Sequence, residues 1–141
     1  MKCLEYNARF LFVYGTLHPT LAPRELSGIV KGLRLVGRGW LSGRLYDLGE
    51  YPGAVLDTSS QFKIVGDVFE LTDHPALLKA LDDYEGFDQD DLAASLFVRI
   101  KVPVTLSNHE QIECWVYAYN HNTSSATFIA DGDYLKWKGI E

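Results

Sequence analysis

The first clear pattern in the chain is an uncharged run of five large residues over 10–14, which ends at Gly15. Such a run is typical of a strand that is covered on both faces. The glycine and the polar, turn-forming residues after it predict a loop. Because glycine has no Cβ, backbone N–H groups in this loop can approach an anion closely. The alternative is that Gly15 only makes a turn.

A glycine-rich segment follows over 29–48, where hydrophobic residues are interleaved with glycines. The glycines are Gly32, Gly37, Gly39 and Gly43. Strand-like sequence with this many glycines favours the curved strands of a small barrel over a flat sheet. After a turn at Pro52-Gly53, another strand is predicted over 62–71.

Helical spacing predicts the main helix over 73–84. Pro75 lies in its first turn, and Gly86 is placed to end it. Four apolar residues fall on one face: Leu77, Leu78, Leu81 and Tyr84. Glu85 then lies just beyond this packed face, where it can reach a neighbouring cavity. The helix dipole disfavours a negative charge at this end, so the pKa of Glu85 is expected to rise modestly.

Period-two alternation over 98–104 and 112–118, around polar residues 107–110, predicts an antiparallel hairpin. The expected fold is therefore α+β: a small, mixed, largely antiparallel, barrel-like sheet of about six strands with one main α-helix. Residues 1–141 are expected to form a single domain.

Composition narrows the function classes. A net charge of −6 with scattered Lys and Arg argues against a nucleic-acid partner. The two cysteines lie far apart and the histidines are isolated, which predicts no metal site and a reduced, cytoplasmic protein. The apolar runs are too short to predict a membrane span. The sequence also lacks GxSxG, GxGxxG and Walker patterns.

Two segments about seventy residues apart carry a family resemblance. They are Tyr14-Gly15-Thr16-Leu17 and the stretch 81–87, Leu-Asp-Asp-Tyr-Glu-Gly-Phe. Together they resemble the γ-glutamylcyclotransferase-like, or AIG2-like, family. The stretches 65–69 and 131–137 also resemble family elements, so the resemblance spans nearly the whole chain.

The resemblance implies site residues. The loop of Tyr14, Gly15, Thr16 and Leu17 would bind the γ-glutamyl group, and Glu85 would be the catalytic acid and base.

Three further residues are candidates for the substrate site. Tyr51 belongs to a Tyr-Pro element that resembles one in the family, although a plain Pro-Gly turn explains it equally well. Arg99 resembles a family arginine, but Phe97 stands in place of the usual tyrosine; an ion pair with an acidic residue of loop 88–95 is the alternative. Tyr117 either walls the pocket or stacks on the sheet face.

The implied activity is γ-glutamyl cyclotransfer, without metal or cofactor. The α-amine of a γ-glutamyl compound attacks its own γ-carbonyl, releasing 5-oxoproline and an amine or amino acid. Glu85 would move the proton from the α-amine to the leaving nitrogen. The loop amides would serve either the γ-oxygen or the α-carboxylate.

Thr16 resembles the γ-glutamylamine and AIG2-like branches more than the glutathione-degrading branch. One alternative is a non-enzymatic member that binds a small metabolite or a partner. Another is a related acyl-transfer or amide-cleaving enzyme that acts on a γ-glutamyl-capped metabolite. Monomer and weak dimer are both compatible with the sequence.

Overall fold

In the computed structural model of the chain, residues 10–15, 33–71 and 75–139 are described. They form seven strands and two helices. The strands are β1 (Phe10–Val13), β2 (Arg34–Asp47), β3 (Pro52–Leu56), β4 (Lys63–Glu70), β5 (Phe97–Leu106), β6 (Gln111–Tyr119) and β7 (Thr127–Ile129). The helices are α1 (Pro75–Glu85) and α2 (Tyr134–Trp137).

Five strands close into a barrel in the order β2, β4, β1, β6, β5. The barrel closes where Leu106 and Thr105 of β5 pair with Gly39 and Trp40 of β2. β1 runs antiparallel to β4 and parallel to β6, so the sheet is mixed. Strands β3 and β7 pair with β2 outside the ring. The predicted α+β fold, a small and largely antiparallel barrel with one main helix, is confirmed.

The glycine-rich segment forms one long strand, β2, rather than several short ones. It pairs with β3, β4, β5 and β7, and its register against β4 shifts between Leu35 and Gly37. At Gly43 a Cβ would lie 2.5 Å from the carbonyl oxygen of Val55, so only glycine lets β3 approach β2 there.

Two apolar clusters surround β1. The barrel interior holds Phe12, Leu41, Leu45, Ile64, Val68, Val104 and Val116, among others. The second cluster lies between the barrel wall and α1 and includes Leu11, Val13, Phe69, Leu77, Leu81 and Phe97. Because β1 alternates between the two clusters, its side chains are apolar on both faces, which confirms the prediction from the run over 10–14.

Helix α1 ends at Glu85, and Gly86 follows with a φ of 71°. The N–H of Phe87 donates to the carbonyl of Asp82 at 2.9 Å, which satisfies a carbonyl of the last turn. Leu81 is fully buried, whereas Tyr84 is 37% exposed. Since Glu85 lies four residues after Leu81, it shares the packed face from which Tyr84 turns away. The sequence prediction had placed these two residues the other way round.

The predicted hairpin is formed by β5 and β6, which pair along their length from Phe97 opposite Tyr119 to Thr105 opposite Gln111. The alternation inside β6 follows the prediction, with Cys114, Val116 and Ala118 buried. The first half of β5 extends past the barrel closure, and there Ile100 is 38% exposed.

The segment 131–137 closes one end of the barrel. Asp133 caps α2 by accepting a hydrogen bond from the N–H of Lys136, and the ring of Tyr134 is buried in the barrel interior. Trp137 donates from Nε1 to Asp47 at 2.9 Å. The carbonyl of Gly132 accepts from the N–H of Val65 at 2.8 Å, which fixes the segment to β4. Neither described helix is long and apolar enough to cross a membrane.

Gly132→Ala should destabilise the fold much more than Gly139→Ala. Both glycines have a left-handed φ, of 68° at Gly132 and 78° at Gly139. Each alanine variant therefore has the same backbone cost of about 1–2 kcal/mol for this conformation. Only at position 132 would the Cβ overlap a backbone atom, the carbonyl oxygen of Lys63. We expect urea unfolding to show an additional loss of at least about 2 kcal/mol for Gly132→Ala. Equal losses in the two variants would contradict this packing.

Candidate active site

A cavity opens between the end of β1, the start of β3 and the C-terminal end of α1. It encloses about 310 Å³ of empty space, including its open mouth. Its lining residues are Phe12, Val13, Tyr14, Gly15, Pro52, Glu85, Phe97 and Tyr117. Four residues predicted for the site, Tyr14, Gly15, Glu85 and Tyr117, therefore lie around one cavity. Thr16 and Leu17, also predicted, lie outside the described residues.

Glu85 supplies the carboxyl group of the cavity. Its pKa is raised from 4.5 to about 8, first because burial disfavours the charged form and second because of the negative charge of Asp82. The sequence predicted a rise in this pKa from the helix dipole, whereas the causes found here are burial first and the charge of Asp82 second. A carboxyl group that titrates near neutrality can both accept and donate a proton at physiological pH.

Asp82, three residues before Glu85 on α1, holds two side chains of the neighbouring strands. Its Oδ1 accepts from the hydroxyl of Tyr117 at 2.7 Å and from Nε of Arg99 at 2.8 Å. Its Oδ2 accepts from Nη2 of Arg99 at 3.1 Å, so the ion pair is bidentate. Asp82 was not among the site residues predicted from the sequence. Its spacing from Glu85 was the available signal, since residues three apart lie on neighbouring parts of a helix surface.

Arg99 lies outside the lining of the cavity. Its guanidinium carbon lies 4.3 Å from the centre of the Trp115 ring. Its Nε pairs with Oδ1 of Asp82 at 2.8 Å. The anticipated alternative of an ion pair is thus the arrangement found, with the partner on α1 rather than in loop 88–95. A role in binding substrate directly stays a prediction.

Tyr14 joins three strands through its hydroxyl. The hydroxyl donates to the carbonyl oxygen of Tyr117 on β6 and accepts from the N–H of Ala54 on β3 at 3.2 Å. Burial raises the pKa of Tyr14 strongly, with a further rise from the charge of Glu85. The phenol therefore stays neutral while it fixes the end of β1.

Gly15 and Pro52 form the narrow side of the cavity. A Cβ on Gly15 would lie 2.4 Å from Cγ of Pro52, so the chain passes the proline at a distance that only glycine permits. Tyr51 lies beside the lining, and its ring packs against Phe97 at a centroid distance of 5.8 Å. Burial raises the pKa of Tyr51. Of the Tyr-Pro element, it is Pro52 that lines the cavity.

The acidic loop 88–95 is fixed to the end of α1. The buried hydroxyl of Ser95 accepts from the N–H of Asp88 at 2.9 Å, and the side-chain amide of Asn120 donates to the carbonyls of Leu92 and Ser95. The N–H of Leu96 donates to the carbonyl of Gly86 at 3.0 Å. The acidic side chains of the loop, Asp88, Asp90 and Asp91, are exposed. Its backbone helps to fix the chain directly after Glu85.

The described part of the chain contains no group of three His, Cys, Asp or Glu side chains that could hold a metal ion.

Comparison with known proteins gives a family match. The profile of the family described as gamma-glutamyl cyclotransferase, AIG2-like, matches residues 11–136. No curated protein matches the sequence significantly.

Several solved structures share the fold. A mouse AIG2-like protein is 18% identical, with a TM-score of 0.69 over 96% of this chain and 95% of that protein. The Escherichia coli protein ytfP is 24% identical, with a TM-score of 0.63 over 92% and 98% of the two chains. A structure described as gamma-glutamyl cyclotransferase is 15% identical, with a TM-score of 0.54 over 88% and 70%. At these identities the similarity concerns the fold.

Glu85→Gln should stabilise the protein at high pH. The folded state holds the Glu85 proton up to about pH 8, whereas the unfolded chain releases it near 4.5, so the wild type loses stability as pH rises between these values. We expect the variant to gain on the order of 2–4 kcal/mol in free energy of unfolding at pH 8.5 and almost nothing at pH 4.5.

Urea titrations at the two pH values measure this difference. Glu113→Gln, at an exposed position on β6, is the control for removal of one carboxyl group. A gain for Glu85→Gln that is the same at both pH values would show that burial of this carboxyl group is not its cause.

Proposed function

The chain belongs to the gamma-glutamyl cyclotransferase, AIG2-like family, and we propose that it is itself a γ-glutamyl cyclotransferase. It would convert the γ-glutamyl group of a small substrate into 5-oxoproline and release an amine or amino acid. The main support is that Glu85, with a pKa near 8, lines the same cavity as Gly15 at the start of the family's substrate loop.

The reaction is an intramolecular aminolysis. A bond forms between the α-nitrogen and the γ-carbonyl carbon, and the bond from that carbon to the leaving nitrogen breaks. Because nucleophile and electrophile belong to one molecule, the cavity contributes mainly by holding the substrate in a folded conformation close to attack.

Glu85 moves one proton during this reaction. It takes the proton that the α-amine loses on attack and gives it to the leaving nitrogen, so the proton balance closes without another acid. The α-amine at a peptide terminus has a pKa of about 8, and the α-carboxylate beside the amine of a γ-glutamyl compound raises that value somewhat. It still lies close to the pKa of Glu85, about 8. Transfer between groups of similar pKa is nearly thermoneutral, which suits one residue that acts in both directions.

The backbone amides from Gly15 to Leu17 are the proposed donors to the γ-oxygen or the α-carboxylate. The two phenols that line the cavity are committed elsewhere: Tyr14 donates its proton to the carbonyl of Tyr117, and Tyr117 donates its own to Asp82. An oxyanion donor is typically worth about 100-fold to 1,000-fold in rate.

The first test is a panel of γ-glutamyl amino acids, γ-glutamyl amines and glutathione, with 5-oxoproline as the measured product. The wild type should turn over at least one compound, and Glu85→Gln should lower its kcat by about 100-fold or more because the proton transfer is lost. Glu113→Gln should retain wild-type activity.

Other outcomes separate the alternatives. Release of glutamate instead of 5-oxoproline would indicate an amide-cleaving enzyme. Binding without any turnover would indicate a metabolite-binding member. An unchanged rate in Glu85→Gln would remove Glu85 from the mechanism.

The pH profile of kcat/KM should be a bell with its maximum between about pH 8 and pH 9. The productive complex carries one proton shared by Glu85, with a pKa of about 8, and the α-amine, with a pKa somewhat above 8. Below about pH 7 both groups are protonated, and above about pH 10 neither is, so the rate should fall about tenfold per pH unit on each side. A profile that stays level from pH 6 to pH 8 would contradict this assignment.

A further inference from the structure

The hydrogen-bonded cluster of Asp82, Arg99 and Tyr117 lies beside Glu85 at the end of α1. It is more buried than ion pairs on a helix surface usually are. The side chains of Asp82 and Arg99 are only 18% and 13% exposed. By contrast, Lys79 and Asp83 pair on the same helix at 3.5 Å with side chains 78% and 67% exposed. Two ion pairs of neighbouring residues thus differ in burial and geometry, which points to a specific task for Asp82.

Resting on the proposed function, we propose that Asp82 is a positioning residue that fixes the wall behind Glu85 and controls how readily Glu85 releases its proton. It does so in partnership with Arg99, which holds the Asp82 carboxylate in place through two hydrogen bonds. Neither side chain is among the residues that line the cavity. The two act on the reaction through Glu85 and Tyr117.

The positional part of this role follows from the contacts. Tyr117 lines the cavity, and its hydroxyl donates a hydrogen bond to Oδ1 of Asp82 at 2.7 Å. This bond holds the Tyr117 ring in one orientation. Arg99 also contacts two aromatic rings, with its guanidinium carbon 4.3 Å from the ring centre of Trp115 and 5.4 Å from that of Phe87. The cluster therefore connects α1, β5 and β6 at the back of the cavity.

The electrostatic part follows from which neighbours of Glu85 carry charge. The phenols that face it are Tyr14 on β1, Tyr51 before β3 and Tyr117 on β6, and each has a raised pKa, so all three stay neutral at working pH. Within the described ranges, Asp82 is the charged group that acts on Glu85.

Arg99 stands on the side of Asp82 that faces β5 and offsets part of its charge. Asp82 raises the pKa of Glu85, so loss of the Arg99 charge should strengthen this effect and loss of the Asp82 charge should remove it. Removing one member should therefore shift the titration of Glu85 in the direction opposite to removing the other.

The test uses the full chain and two opposing variants. Asp82→Asn removes the negative charge and leaves Arg99 uncompensated, so the Glu85 midpoint should fall by about one pH unit or more. Arg99→Gln leaves Asp82 uncompensated, so the midpoint should rise by about half a unit or more. Arg99→Lys keeps the charge and should return it towards the wild-type value. Asp83 follows Asp82 in the sequence and is exposed, so Asp83→Asn is the matched control. It should move the Glu85 midpoint by less than about 0.3 pH unit.

Carbon-13 NMR of selectively labelled glutamate reads the midpoint without substrate, and Glu85→Gln identifies the signal by its loss. The acid limb of the kcat/KM profile should move with the NMR midpoint in each variant. Shifts in the same direction for Asp82→Asn and Arg99→Gln, or no shift in either, would overturn the proposal, because a purely structural cluster would behave that way.

Two safeguards keep the result decisive. If Asp82→Asn does not fold, the comparison of Arg99→Gln with Arg99→Lys decides the matter, with a shift only in the former expected. If the wild type releases no 5-oxoproline, the proposed function fails, whereas the NMR midpoints still show whether Asp82 and Arg99 control Glu85.

Discussion

The burial of β1 on both faces is the constraint on which the arrangement of the site depends. Leu11, Phe12 and Val13 are at most 3% exposed, because the strand pairs with β4 and β6 and lies between the barrel interior and α1. Burying a side chain of this size contributes about 1.5–3 kcal/mol. The strand therefore cannot slip by one residue without turning its apolar set to the wrong side. Its end, at Tyr14 and Gly15, is fixed accordingly.

The same packing brings the distant carboxyl group to that end. Leu81 packs into the cluster that contains Leu11 and Val13, and Glu85 follows four residues later on the same helix face. The hydroxyl of Tyr14 then connects the end of β1 to β3 and β6. The cavity is thus a gap between elements whose relative positions are set by apolar contacts and by one buried phenol.

Placing a carboxyl group in this gap costs stability and supplies reactivity through the same physical effect. Burial raises the pKa of Glu85, so the ionised side chain opposes folding, and the group becomes able to exchange protons near neutrality. Asp82 adds to the effect, while Arg99 prevents its negative charge from remaining unpaired at the back of the cavity. Stability and proposed activity are therefore in opposition at this residue.

Local signals along the chain were enough to predict the doubly covered strand β1, the hairpin of β5 and β6, the helix that stops before Gly86, and the glycine-rich strand segment that became β2. It also indicated Tyr14, Gly15 and Glu85 through short motifs. Three features emerged only in the folded chain: β2 pairs with four other strands, Pro52 lines the cavity, and Asp82 binds Arg99 and Tyr117. Apart from the pairing of β2 with β3, these contacts join residues 17 or more positions apart, and no periodicity within a segment encodes such distant partners. The burial that shifts the pKa of Glu85 exists only once those partners have assembled around it.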